Sequence, residues 1–403
     1  MGAKERMEIG VLIERSRAYG RQLCEGVAAF AMRRPNWRLT LLDGHDLDDR
    51  RRMLAFDGLI CRFLDTRVPR KVLRYGKPTV DVYHDRPLAG IAAVDSDHFD
   101  IGHAAAEHFL DRHFTHFAFC GYNDCEYSNG RRRGFAETLA KHGFKCLNYA
   151  TPQNMRYRFD NDTIFSDPTH YEDVDENLHK WVATLPKPVA VFCSHDFCAY
   201  QLVQSCLAEN LAIPGDIAVL GVDNDTLLCS FTSPTISSVD PDAFGVGYAA
   251  AETLADLIAS GGTVPDGVHP RYIPCRGVVS RESTDIYPIK PEWLSEALLF
   301  IQHNVDKGIS ASDVCNHIGR SHTTVARAFA DILHSTIQRK IAESRMKEAK
   351  RLLEKGLTPA KVAAQSGFRS LAYFSNCFTA SYGKPPSRYC EEQKVQRSLI
   401  QIQ

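Results

Sequence analysis

Ser310-Ala311-Ser312-Asp313-Val314-Cys315-Asn316-His317-Ile318-Gly319 returns, 48 residues further on, as Thr358-Pro359-Ala360-Lys361-Val362-Ala363-Ala364-Gln365-Ser366-Gly367. In each copy a hydroxyl residue able to cap a helix precedes Val, a small residue, three more positions and Gly. A tight helix-turn-helix imposes this pattern. The small residue (Cys315, Ala363) sits where two helices touch, and the glycine (Gly319, Gly367) supplies the positive φ of the turn.

Each glycine leads into a second cap and helix, Ser321 to Leu333 and Ser370 to Tyr382, whose inner faces offer Val325 with Phe329 and Phe374 with Phe378. The opposite faces carry Ser321, His322, Thr323 and Arg327 in the first unit, and Arg369, Ser370, Leu371, Ala372 and Asn376 in the second. Hydroxyls, Arg and Asn read base edges or hold phosphates, while Leu and Ala press on thymine methyls. A helix from about Gln338 to Glu354, roughly 25 Å long, would set the two readers in successive major grooves about 34 Å apart. A plain all-α bundle would use the same caps, but charge favours DNA. From Lys290 to Gln403 there are 17 Lys+Arg against 10 Asp+Glu, whereas the remainder holds 31 against 39, although the whole 403-residue chain nets only -1.

Upstream the texture changes. Between Ile9 and Ser238, short runs of Val, Ile, Leu and Phe alternate with helical stretches such as Tyr19 to Met32, Ile101 to Asp111, Arg131 to Lys141 and Phe197 to Glu209, with Phe244 to Ala259 closing the series. That rhythm predicts parallel sheets flanked by helices. We expect two α/β lobes in residues 1–289, with a break after about Phe119, a return near Ser237 to Asp240 and a further crossing near Pro274. An all-α domain follows in 290–403.

Ligands of such folds bind beyond the carboxyl ends of the strands. Those ends supply Tyr19 and Arg21, Asp97, and, in the second lobe, His195, Asp196 and Asp223. Arg131 opens a following helix. Carboxylates and guanidinium groups beside aromatic rings suit a polyhydroxylated ligand, whose hydroxyls both donate and accept.

Two resemblances sharpen this reading. Arg345-Met346-Lys347-Glu348-Ala349-Lys350-Arg351-Leu352-Leu353, Gly367-Phe368, Tyr373-Phe374 and Tyr382-Gly383-Lys384-Pro385-Pro386-Ser387-Arg388-Tyr389 resemble the AraC/XylS-type DNA-binding domain. His334 and Ile337 depart from it, standing where that family usually has Gly and Pro. Residues 8 to 280 resemble the periplasmic-binding-protein-like sensors of LacI/GalR-type regulators, through Asp97 with Gly102, Arg131-Arg132-Arg133-Gly134-Phe135, Ser194-His195-Asp196, Gly221-Val222-Asp223-Asn224 and Ser233-Pro234-Thr235. The second resemblance puts sugar-binding roles on Arg131 and Asp223. The combination is that of regulators of xylose operons. It implies a cytoplasmic homodimer that closes on a sugar, xylose by preference, binds promoter DNA and, as an activator, meets RNA polymerase.

Other classes fit less well. No apolar run reaches the roughly 20 residues that cross a bilayer, and the N-terminus lacks a secretory signal, against a transport binding protein of the same fold. There is no P-loop, HExxH or Gly-x-Ser-x-Gly, so an enzyme is not expected. The 13 cysteines are odd in number and scattered, which suits free thiols in a reducing compartment. His98, His103, His108, His113 and His116 recur in one stretch, yet with Cys120 or Cys125 they match no zinc spacing, so neither metal nor cofactor is expected.

Overall fold

Val189–Cys193 (VAVFC) and Ile217–Val222 (IAVLGV) are apolar or small at every position, which suits parallel strands covered on both faces, and every residue in them is buried. The computed structural model describes residues 6–63, 68–83, 88–123, 125–150, 176–262, 264, 269–354, 356–368 and 370–390. The chain divides into two units, Met1–Asp285 and Ile286–Gln403.

The first unit contains two six-stranded sheets. One is built from β1 (Met7–Leu12), β2 (Trp37–Leu41), β3 (Gly58–Cys61), β4 (Thr79–Asp81), β5 (Ala92–Ser96) and β11 (Arg271–Ile273), in the order β11-β5-β4-β3-β1-β2. The other is built from β6 (Phe117–Gly121), β7 (Cys146–Ala150), β8 (Val189–Cys193), β9 (Ile217–Val222), β10 (Ser237–Asp240) and β12 (Gly277–Val279), in the order β12-β10-β9-β8-β6-β7. All pairings are parallel except β10 with β12. Helices α1 (Ala18–Ala31), α2 (Arg50–Ala55), α3 (Val68–Leu73) and α9 (Ala243–Ala259) accompany the first sheet, and α4 (His98–Leu110), α5 (Glu126–Lys141), α6 (Glu176–Thr184), α7 (Asp196–Ala208) and α8 (Thr226–Ser230) the second.

The two-lobed α/β architecture is as expected, but the break after about Phe119 must be corrected. The chain leaves the first sheet after Ser96, and Phe117–Gly121 already pairs with β7 and β8 in the second. An apolar run reports that a strand is covered, not which neighbour it bonds; partners are set by long-range packing. Strand β7 was missed because, as an edge strand with exposed Leu147 and Asn148, it carries no buried run. Strands β11 and β12 are too short for a pattern to register.

Each lobe is closed by a helix pair in near backbone contact. A Cβ on Gly102 of α4 would fall against the carbonyl oxygen of Arg131 in α5, and one on Gly134 against that of Phe99. Gly26 of α1 and Gly247 of α9 meet in the same way, against Phe244 and Leu23.

The second unit is helical: α10 (Glu292–His303), α11 (Ala311–His317), α12 (His322–Leu333), α13 (Ile337–Glu354), α14 (Pro359–Gln365) and α15 (Leu371–Tyr382). Ser310 and Asp313 form a capping box at α11, and Thr358 caps α14 by accepting from the Lys361 amide. Gly319 and Gly367 have φ of 62° and 71°, as the repeat requires. Val314, Val325, Phe329 and Ile341 belong to one core, and Met346, Val362, Phe374 and Phe378 to another. Helix α13 therefore serves both hairpins. His334 adopts the left-handed conformation (φ 47°) that a glycine would take, and Ile337 is buried in the first core. Among the described residues, no helix is long and apolar enough to cross a membrane.

The glycine crossings carry a prediction. Gly102→Ala forces α4 and α5 apart and should lower unfolding stability by about 3 kcal/mol, read by urea denaturation; an unchanged midpoint would mean that the helices separate freely.

Candidate functional site

The carboxyl ends of both sheets bring together rings and charges from the two lobes. After β1, Glu14 accepts hydrogen bonds from the Arg17 amide (2.8 Å) and the Ser16 hydroxyl, shaping the loop that leads to Tyr19. After β3 comes Arg62, whose Nη1 lies 3.3 Å from Glu14 Oε2 and whose guanidinium stands 4.8 Å from the ring centroid of Tyr19 and 5.6 Å from that of Tyr83. Across the cleft, Tyr127 lies 6.3 Å from Tyr83, stacks on His195 at 6.4 Å, and is faced by the Arg131 guanidinium at 5.2 Å.

Arg131 is buried. Its Nη1 donates to the Ser194 carbonyl, and its Nη2 lies 3.7 Å from Asp223 Oδ1. Asp223 has a positive φ of 106°, which turns the chain sharply after β9. The next residue is held in place, its amide donating to Ser238 Oγ (2.9 Å) and Asn224 Oδ1 accepting from Arg281 (2.7 Å). Burial pushes the Asp223 carboxyl up, while Arg131, Arg62 and Arg17 pull it down. Burial, with Arg17 and Arg131 nearby, holds His195 well below the usual histidine range. Its Nδ1 accepts the Cys198 amide (3.0 Å), so the neutral ring carries its proton on Nε2. Arg62 Nε, Arg131 Nε, His98 Nδ1 and Ser194 Oγ are buried with no hydrogen-bond partner among the described residues. Such donors are costly unless something accepts from them.

The structure therefore gathers Tyr19, Arg131, His195 and Asp223. The other three candidates have structural work. Arg21 is exposed and donates to the carbonyls of Arg15 (3.1 Å) and Ser16 (2.7 Å). Asp97 caps α4 by accepting the Asp100 amide at 3.0 Å. Asp196 is fully enclosed, its oxygens accepting from Ser238 Oγ (2.6 Å) and the Asp225 amide (2.8 Å), and burial with Asp223 alongside raises its carboxyl well above the usual range. Arg62, Tyr83 and Tyr127 were missed. Arg62 follows β3 directly and Tyr83 stands two residues beyond the end of β4, where short buried strands give no sign of which flanking residue faces the cleft. Tyr127 belongs to a first turn of α5 that polar neighbours disguise. Of the recurrent histidines, His103 bonds Thr138 and His108 bonds Thr284.

In the helical unit, Ser321 and Ser370 cap α12 and α15 by accepting from the amides of Thr324 and Tyr373 (both 3.2 Å). His322, Thr323, Arg327, Leu371, Ala372 and Asn376 are exposed on these helices. Arg369 lies outside the described residues. Arg327 is 3.5 Å from Asp331, one turn along, in an open pair of little energetic weight. Tyr373, 60% exposed beside Leu371, extends the outward face of α15.

Residues 106–284 match the family of periplasmic binding protein-like domains, and residues 314–392 match a helix-turn-helix domain. The chain is similar to the xylose operon regulatory protein of Haemophilus influenzae, 24% identical over 392 residues, which cover 95% of this chain and 97% of the relative. The solved structure of xylose-binding transcription activator xylR is similar with a TM-score of 0.58 at 23% identity, covering 97% of this chain and 99% of that one. A LacI family transcriptional regulator from Enterococcus faecium with bound ribose has a TM-score of 0.52 at 21% identity, covering 70% of this chain and 100% of its own. The α/β unit is thus periplasmic-binding-protein-like, and the resemblance to two-domain regulators runs nearly end to end.

Asp81 fixes the loops that present Arg62 and Tyr83, its Oδ1 accepting from the amides of Phe63 (3.3 Å) and Tyr83 (3.0 Å). Burial, against the pull of those amides, pushes its carboxyl up to about 8. Its unfolded value is about 4, so the native state holds the proton more tightly; the associated stability is complete below about pH 4 and is lost as pH rises towards 8. Asp81→Asn should flatten that decline in urea unfolding measured across this pH window. An unaltered slope would show that Asp81 titrates alike in both states.

Proposed function

We propose that this protein, a periplasmic-binding-protein-like domain followed by a helix-turn-helix domain, is a sugar-responsive, DNA-binding transcription regulator. One observation carries the reading: a cleft with buried, unpartnered guanidinium donors facing aromatic rings and a carboxylate shares a chain with two capped helices whose polar faces are exposed.

The ligand class follows from the cleft. Asp223 accepts from hydroxyls, Arg62 and Arg131 donate, His195 donates through Nε2, and Tyr19, Tyr83 and Tyr127 offer rings for the apolar face of a sugar. Arg21, Asp97 and Asp196 shape and brace these positions. The relatives' names make xylose the first sugar to try. Because the cleft draws on both lobes, a sugar binds the closed arrangement better than the open one, and it shifts the equilibrium only by that difference. In a cytoplasmic homodimer this shift repositions the DNA-binding domains on promoter DNA, where an activator recruits RNA polymerase. Ser321, His322, Thr323 and Arg327 read one major groove, and Arg369, Ser370, Leu371, Ala372 and Asn376 the next.

The test separates the two halves. Arg131→Ala or Asp223→Ala should weaken sugar binding by about 10- to 100-fold in calorimetry, since each removes a charged hydrogen-bonding group, and leave DNA affinity intact. Arg327→Ala with Asn376→Ala should do the reverse. DNA affinity should fall with salt, each neutralised phosphate adding about -0.9 to the log-log slope. Binding without that dependence, or Arg131→Ala with full sugar affinity, would overturn the corresponding half.

A further inference from the structure

None of the 13 cysteines is in a disulfide, and three of them meet. Cys120 of β6 and Cys193 of β8 are register partners on neighbouring parallel strands, so their side chains emerge on the same face of the sheet. Cys198, the third residue of α7, comes down onto that face. The three sulfurs lie within 4.8 Å of one another, with Cys198 Sγ 3.5 Å from Cys120 Sγ. All three residues are at most 2% exposed. We propose that Cys120, Cys193 and Cys198 form a three-thiolate site for a thiophilic monovalent ion, copper(I).

The donor set selects the ion. Thiolates favour soft metals, copper(I) and zinc foremost. Zinc requires a fourth ligand, and among the described residues no His, Asp or Glu joins the group. Ala118, Val191, Ala199 and Leu202 pack in the same core around the three sulfurs. Three-coordinate copper(I) needs no fourth ligand. Cysteines often serve as small core residues, but filling volume does not require three sulfurs to converge on one point. Binding releases the protons of the thiols that become ligands. An occupied site would also brace the first turn of α7 next to His195, the residue that caps it.

The proposal is independent of the regulator reading. Fully reduced, full-length protein is titrated anaerobically with copper(I) held by a chromophoric chelator. The wild type should take one equivalent and melt at a higher temperature once loaded. Cys120→Ala, Cys193→Ala and Cys198→Ala should each weaken uptake by more than about tenfold, while Cys61→Ala and Cys315→Ala retain it. Because an alanine variant could fail to fold, X-ray absorption of the loaded wild type provides a second readout, expected to show sulfur alone around the metal. The proposal is overturned if the wild type takes no copper from the chelator, if the three substitutions leave uptake unchanged, if nitrogen or oxygen ligands are found, or if zinc binds as tightly as copper(I).

Discussion

The first unit depends on helix backbones being allowed to touch. Where α4 crosses α5, Gly102 and Gly134 leave no side chain between the main chains, and Gly26 and Gly247 do the same where α1 crosses α9. Any Cβ there would meet a carbonyl oxygen, so the spacing of each pair is fixed by backbone volume. This has a direct consequence for the cleft. Arg131 is one of the residues at the α4–α5 crossing, and its guanidinium can reach both Ser194 and Asp223 because its main chain is held that close to α4.

A second constraint is electrostatic. The cleft holds several buried charges, tolerated through their neighbours, Arg62 with Glu14 and Arg131 with Asp223, while burial pushes the carboxyl of Asp196, closed in by a hydroxyl and an amide, well up from its usual range. Breaking one partnership would leave another charge buried, which costs more than an exposed pair contributes. The unpartnered nitrogens of Arg62 and Arg131 stand out against this background of satisfied groups. The helical unit solves a different problem. Two small hairpins, each too small to bury much alone, share α13, which gives Ile341 to one core and Met346 to the other.

What rests on local rules can be read from the order of the residues. The caps at Ser310, Ser321, Thr358 and Ser370 and the positive φ of Gly319 and Gly367 follow from residues within one turn, and each is where the repeat put it. Apolar runs marked the buried central strands for the same reason. Tyr19, His195 and Asp223 could be singled out as candidates because strand ends in such folds face a crevice, and Arg131 through its likeness to a sugar-binding motif.

What depends on partners far along the chain emerges with packing. Pairing assigned Phe117–Gly121 to the second sheet, since covered strands look alike whichever sheet receives them. It separated Asp223, which faces Arg131, from Asp196, which is closed in by Ser238 and Asp225, though both are aspartates at strand ends. It brought Arg62, Tyr83 and Tyr127 together from separate elements, and it drew Cys120, Cys193 and Cys198 to one point although their spacing follows no metal pattern. The physical reason is common to all of these: a side chain's local conformation is written in its neighbours along the chain, whereas its partners in space are chosen by how whole strands and helices pack.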